Sequence, residues 1–225
     1  MQNSFAGGAW IIGSSYGTLY SGAPQKLPPM DQLFPRVPAR LGRFDEFTTF
    51  GFAAIGLALQ EAGWTDFAKS DNTGLIISTE YGVMRTDLSY YATAIPEGSL
   101  LSSPNLFSYT LPVTVIGECA VFFHLTGPTF CIGDDGRSGV KALETASFLL
   151  QSKQAHRMIA AWIETPPDLE ESRTKQAAAA AVVVDTENQS AMNENKRTQR
   201  TVSDLSNLPS LFALFPNLNA SERYL

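Results

Sequence analysis

The chain has 225 residues, enough for one domain or one domain with a tail. It is 44% hydrophobic and 17% charged with a formal net charge of -6, so nothing marks it as disordered, and with no basic stripe nucleic acid is excluded as an expected partner. No apolar run reaches the ~18 residues of a membrane span, and the N-terminal Met-Gln-Asn-Ser-Phe-Ala-Gly-Gly lacks the charged and apolar regions of a signal peptide.

The expectation is therefore a soluble cytoplasmic protein. The two cysteines, Cys119 and Cys131, sit in apolar runs and read as small buried hydrophobes rather than a disulfide or metal pair. No cofactor or metal is expected.

In chain order, residues 9–13 form a short apolar run closed by Gly13, predicting a buried first strand. Residues 14–41 hold five prolines and several glycines and read as loop. Asp45 is the candidate N-cap of the first clear helix, which is apolar nearly all round and which Gly63 ends. Such a helix expects cover on more than one side.

Residues 73–79 predict a second buried strand. A looser helix follows over residues 81–95, then a Gly/Ser/Pro loop over 96–104. Pro112 opens the next, almost wholly apolar helix.

Gly127-Pro128 ends that segment, and Thr129, Phe130, Cys131 and Ile132 form a short β-type run. Gly133 to Gly136 is a tight turn, and an amphipathic helix is predicted from near Arg137 through Leu150. A strand turning sharply into a helix is the layout of a nucleophile elbow, where free N–H groups and the helix dipole favour negative charge. An enzyme of this kind places Cys or Ser at the turn; this chain has Gly136.

Residues 157–164 predict a further strand, and Ala177 to Asp185 reads as strand on its three consecutive valines. After Thr186 the composition turns polar, giving an expected boundary: a domain over 1–186, then over 187–225 a linker and a short apolar segment around Leu205–Phe215. Strand and helix alternate, so the expected class is α/β with a mixed, mostly parallel sheet and helices on both faces.

Several side chains admit a chemical reading. Asp134 and Asp135 could form an acid/base or metal pair, but adjacent residues point apart, and carboxylates before a helix satisfy its free N–H groups. Ser138 is the best alternative nucleophile, although Gly136-Arg-Ser-Gly-Val140 is not G-x-S-x-G. His124 and His156 are the only histidines and read as structural.

Taken together, these elements resemble the N-terminal half of a β-ketoacyl synthase of the thiolase fold. The resemblance rests on Arg43-Phe44-Asp45 opening a buried helix, on Thr73-Gly-Leu-Ile-Ile-Ser-Thr79, and on Ser103-Pro-Asn-Leu-Phe-Ser-Tyr-Thr-Leu-Pro112. Leu125-Thr-Gly-Pro128, the strand–turn–helix after it and the two later strands complete it, over roughly residues 9–185.

The resemblance places the family's nucleophilic cysteine at Gly136, which cannot form a thioester; Cys131 lies five residues too early. The family's catalytic histidines belong to a second half that this sequence does not extend into. By resemblance the chain is a shortened, cysteine-less chain-length factor, as in type II polyketide or aryl polyene systems.

That implies a heterodimer with an active β-ketoacyl synthase and indirect contact with an acyl carrier protein. Thr129, Phe130, Cys131 and Ile132 are then the dimer strand. Phe107, Tyr109, Thr110 and Leu111 gate the partner's acyl tunnel. The alternative is a small acyltransferase or hydrolase on the same scaffold using Ser138 or Cys131. A decarboxylase ranks last, because it needs an oxyanion-stabilising side chain from the second half.

Overall fold

The computed structural model describes residues 10–19, 29–62, 72–95, 98, 100–167, 177–185 and 200–201. In chain order these are β1 (Trp10–Leu19), α1 (Met30–Leu33), a 3-10 turn (Leu41–Arg43), α2 (Glu46–Glu61), β2 (Thr73–Thr79) and α3 (Met84–Ala94). Then come α4 (Pro104–Phe107), α5 (Val113–Phe123), β3 (Thr129–Gly133), α6 (Val140–Gln151), β4 (Arg157–Glu164), β5 (Ala177–Asp185) and β6 (Arg200–Thr201).

The strands form one sheet in the order β3-β2-β4-β5-β1-β6. β2 pairs in parallel with β3 and β4, whereas β5 is antiparallel to both β4 and β1. β1 to β4 therefore point one way, and β5 and the two-residue β6 oppose them. This is the mixed sheet expected for half of a thiolase-like fold, with four of its six strands pointing one way.

Burial follows the two-residue period of the strands. Leu75 and Ile77 of β2, Ile159, Ala161 and Ile163 of β4, and Ala181 and Val183 of β5 join one core with α2 and α5. The alternate residues, Ile76, Met158, Ala160 and Trp162, are also buried. They belong to the opposite face, where α6 packs on β4 and β2 with Val140, Leu143, Ala146 and Leu150 buried. Helices thus cover both faces.

α2 starts at the expected cap: Asp45 Oδ1 accepts from the Thr48 N–H at 2.9 Å. It is covered by β1, β5 and β4 and by α1 and α5, which answers its all-round apolar sequence. Phe52, fully buried, centres an aromatic cluster, stacked on Phe123 at 5.0 Å and edge-on to Phe122 at 5.2 Å and Phe34 at 5.8 Å. Each such buried ring contributes about 1.5–3 kcal/mol.

Four stretches differ from the sequence expectation. The expected loop over 14–41 holds strand as far as Leu19 and the short α1. Residues 14–19 have no apolar alternation, and the pairing that makes them strand is not local: Ser14 lies opposite Val182 and Leu19 opposite Ala177. A short helix, α4, forms where the loop runs into Pro112, capped by Ser103 Oγ accepting from the Leu106 N–H at 3.3 Å.

The elbow helix begins at Val140 rather than near Arg137, because Gly136, Ser138 and Gly139 all have positive φ. Arg200 and Thr201, inside the segment expected as linker, pair with Ile11 and Trp10. Gly63 and the Leu205–Phe215 cluster lie outside the described residues.

Candidate functional site

The elbow sits where the C-terminal ends of β2 and β3 meet, with Thr79 opposite Gly133. β2 and the chain entering β3 approach closely at their starts. Gly127 N–H donates to Thr73 O at 2.8 Å, and a Cβ on Gly74 would fall 2.3 Å from the Pro128 carbonyl oxygen. Only glycine permits that approach, so Gly127-Pro128 sets where β3 begins.

At the other end, the Asp134 N–H donates to Thr79 O at 2.9 Å. Its side chain turns back into the elbow. Oδ1 accepts from the N–H groups of Gly136 at 2.9 Å and Ser138 at 3.0 Å. Oδ2 accepts from the Gly139 N–H at 2.8 Å and the Ser78 hydroxyl at 2.9 Å. One carboxylate thus takes up three N–H groups of the turn that leads into α6.

The turn residue is Gly136, with φ +86°. Asp135 and Arg137 brace its outer side: Arg137 Nε and Nη2 donate to Asp135 Oδ2 at 2.9 and 2.8 Å, and Nη1 donates to Glu144 Oε1 at 3.0 Å. The hydrogen bonds from Arg137 hold the Asp135 carboxyl below its ordinary range. Asp134 and Asp135 therefore have separate partners and do not form a pair.

Ser138 lies in this turn with φ +44°, its N–H committed to Asp134. Cys131 lies on β3, half-buried, and burial pushes its thiol up to about 11, with the Glu164 carboxylate adding to the effect. Cys119 is buried among α2 and α5 side chains, and burial raises it further still. A protonated thiol is a poor nucleophile.

His156 precedes β4 at the opposite end of the sheet, since Arg157 pairs with Thr73 while Gly133 pairs with Thr79. Six strand residues separate the two levels, about 20 Å. His124 caps α5 in the left-handed region, just before β3 begins.

The four expected gate residues divide. Phe107 and Leu111 are each 61% exposed. Thr110 is half-buried and its hydroxyl donates to Phe107 O at 2.8 Å. Tyr109 is buried in its own domain, against Phe44 at 6.1 Å, with its hydroxyl donating to Glu118 at 3.5 Å. Of the expected dimer strand, β3 is the sheet edge, with Phe130 exposed and Thr129, Cys131 and Ile132 half-buried.

Two features escape the sequence reading. Glu164, the last residue of the apolar strand β4, is buried and accepts from the Thr79 hydroxyl at 3.1 Å, the Tyr81 N–H at 3.1 Å and the Glu80 N–H. Burial raises its pKa to about 7 although these hydrogen bonds pull it down. A carboxylate closing an otherwise apolar strand is the signal that could have found it.

The second is a cleft of about 700 Å³ on the outside of α5, lined by Arg36, Arg40, Thr114, Glu118, Val121 and His124 among others. Arg36 sits over the Phe122 ring at 5.8 Å. Its signal is the pair of arginines four apart in the proline-rich segment. Among the described residues no group of three or more side chains could hold a metal ion, and no helix is long and apolar enough to cross a membrane.

Comparison with known proteins bears on this geometry. A curated relative, the 3-oxoacyl-[acyl-carrier-protein] synthase 2 of Rhizobium meliloti (strain 1021), is 26% identical over 131 residues, 57% of this chain and 31% of that protein. A solved type II polyketide synthase acyl-carrier protein in complex with its ketosynthase bound to the hexaketide aligns with TM-score 0.66 at 16% identity, covering 82% of this chain and 64% of that one.

A ketosynthase in complex with its chain length factor from Xenorhabdus doucetiae aligns with TM-score 0.51 at 11% identity, covering 71% and 62%. The chain therefore spans from about a third to under two thirds of the length of these relatives. The model of the β-ketoacyl synthase N-terminal domain matches residues 14–199. With most of its length matched and the sheet, elbow and helices in that order, the chain belongs to the β-ketoacyl synthase N-terminal domain family.

Proposed function

We propose that this chain is a non-catalytic ketosynthase-like subunit that pairs with an active β-ketoacyl synthase and shapes its acyl tunnel. The observation that carries the reading is the elbow. Gly136 brings no nucleophile, and the Asp134 carboxylate occupies the N–H groups of Gly136, Ser138 and Gly139. A thioester carbonyl would find neither a sulfur to attack it nor free donors for its oxyanion.

The pairing surface is β3. An edge strand with a row of backbone donors and acceptors turned outward, and no charge from Thr129 to Gly133, invites strand pairing. Phe107 and Leu111, exposed with Thr110 beside them, are the side chains that limit chain length across the interface. Tyr109 supports their loop from inside. The likeness to a solved chain length factor complex supports this role. The setting is cytoplasmic polyketide, fatty-acid-like or aryl polyene synthesis, with the acyl carrier protein meeting the partner rather than this chain.

The acyltransferase reading through Ser138 or Cys131 has less support: the Cys131 thiol titrates at about 11, and both histidines lie away from the elbow. Co-expression of the full chain with an active β-ketoacyl synthase from the same organism tests the proposal. A stable 1:1 complex, with longer products from Phe107→Ala or Leu111→Ala, is the expected result. A chain that ignores that ketosynthase, or that is labelled by an acyl-phosphonate probe at Ser138 or Cys131, overturns it.

A further inference from the structure

α3 is built inside out. Its inward contacts are polar: the Thr86 hydroxyl donates to Asp45 Oδ2 at 2.6 Å, Arg85 donates to Glu46 at 3.0 Å and to Pro166 O at 2.8 Å, and Thr93 Oγ1 accepts from the Ser103 N–H at 3.1 Å. Its outward face carries the apolar side chains. Met84, Leu88, Tyr91 and Ile95 recur at helical spacing, 40%, 49%, 62% and 62% exposed. An ordinary surface helix does the reverse.

The stripe continues beyond the helix. Phe107 of α4 packs on Tyr90 at 5.4 Å, and Leu101, 69% exposed, lies just before α4. Large aliphatic and aromatic side chains present about 150–250 Å² when fully open. At these exposures the patch offers about 600 Å², at the upper end for a monomer and most of the ~800 Å² that one partner contributes to a standard interface.

We infer that the outward face of α3, with Leu101 and Phe107, is a docking surface for the partner ketosynthase, which meets it with an apolar groove and a cation opposite Asp87. This rests on the pairing proposed above and extends it from β3 to α3. Phe107, proposed above as a tunnel-gate residue, also lies on this stripe, packed on Tyr90.

Charge selects the occupant. Among the described residues of α3, Asp87 is the single charge beside the stripe, and Arg85 on the same helix is already bound to Glu46. A second copy meeting stripe to stripe offers Asp87 no cation, and neither does the uncharged Leu205–Phe215 segment of the chain itself. A carboxylate covered without a partner is strongly disfavoured.

The test uses the full chain co-expressed with the same β-ketoacyl synthase. Leu88→Asp and Tyr91→Glu are expected to weaken the complex at least 30-fold, and Asp87→Lys about 10-fold. Phe148→Asp, on the opposite side of the sheet, leaves affinity unchanged. All four positions are exposed, so circular dichroism and melting temperature confirm that each variant folds.

Complex formation that Leu88→Asp and Asp87→Lys leave intact overturns the inference while the pairing stands. No complex with the unaltered chain overturns the pairing and this inference with it. Leu88→Asp abolishing self-association of the isolated chain assigns the face to a second copy. Greater dye binding at α3 after deletion of residues 205–215 assigns it to the chain's own tail. Either of these last results overturns the inference.

Discussion

The Ser78 hydroxyl donates to Asp134 Oδ2 across 2.9 Å, joining the buried end of β2 to the carboxylate that closes the elbow. Asp134 has four donors in all, three of them backbone N–H groups with no other acceptor in the helical ladder. Asp134→Ala leaves those donors to water or to nothing, and the cost is expected at about 2–3 kcal/mol. Asp134→Asn keeps one acceptor oxygen and is expected to lose about 1 kcal/mol. Urea titrations of both variants measure this, and an unchanged midpoint for the alanine variant contradicts the assigned role.

A thiol placed at Gly136 is not expected to be activated by this turn. A helix N-terminus activates a cysteine through its free N–H groups and dipole, and here a carboxylate already takes up both. Gly136→Cys is therefore expected to react with iodoacetamide more slowly than free cysteine at neutral pH. Adding Asp134→Asn is expected to raise the rate several-fold. The left-handed backbone at position 136, φ +86°, adds roughly 1–2 kcal/mol of strain to the variant. Fast labelling of the single variant counts against the plugged elbow.

The aromatic cluster is the mechanical centre of the α2–α5 layer. Phe52 is fully buried and touches Phe34, Phe44, Phe122 and Phe123. Rigid rings on different elements cannot all close the gap, so Phe52→Ala is expected to cost about 3–5 kcal/mol. Phe52→Leu refills part of the volume and is expected to cost less than half as much. Thermal unfolding distinguishes them, and near-equal losses imply that something other than cavity formation dominates.

The apolar strands and helices were legible because local pattern and tertiary burial agree in them. β2 and β4 are buried along nearly their whole length, and Asp45 caps α2 as its position suggests. β1 was legible only in its apolar opening, because the continuation to Leu19 is decided by pairing with Ala177–Asp185, far away in sequence. The tight turn ending at Gly136 was legible, and the helix-start role of the acidic pair was legible too. That Asp134 alone takes the N–H groups while Asp135 is held by Arg137 depends on three left-handed residues that no periodicity reveals. The outward stripe of α3 was hidden for the opposite reason: its period is helical, but period does not say which face turns inward.

Glu164 gives the stability of this fold a pH dependence near neutrality. Its ordinary value is 4.5, and burial raises it in the folded protein to about 7. The folded state therefore holds this proton more tightly than the unfolded chain. Between pH 4.5 and about 7 the folded state binds more protons, so stability falls as pH rises through that window and levels off above it. Every tenfold gain in proton affinity on folding is worth about 1.4 kcal/mol, so the full loss across the window is about 3 kcal/mol. Glu164→Gln removes the titration while keeping one acceptor for the Thr79, Glu80 and Tyr81 donors. Unfolding free energies measured at closely spaced pH values should slope downward for the native chain and run flatter for the variant across the same window. Parallel profiles for the two proteins mean that another group carries the dependence.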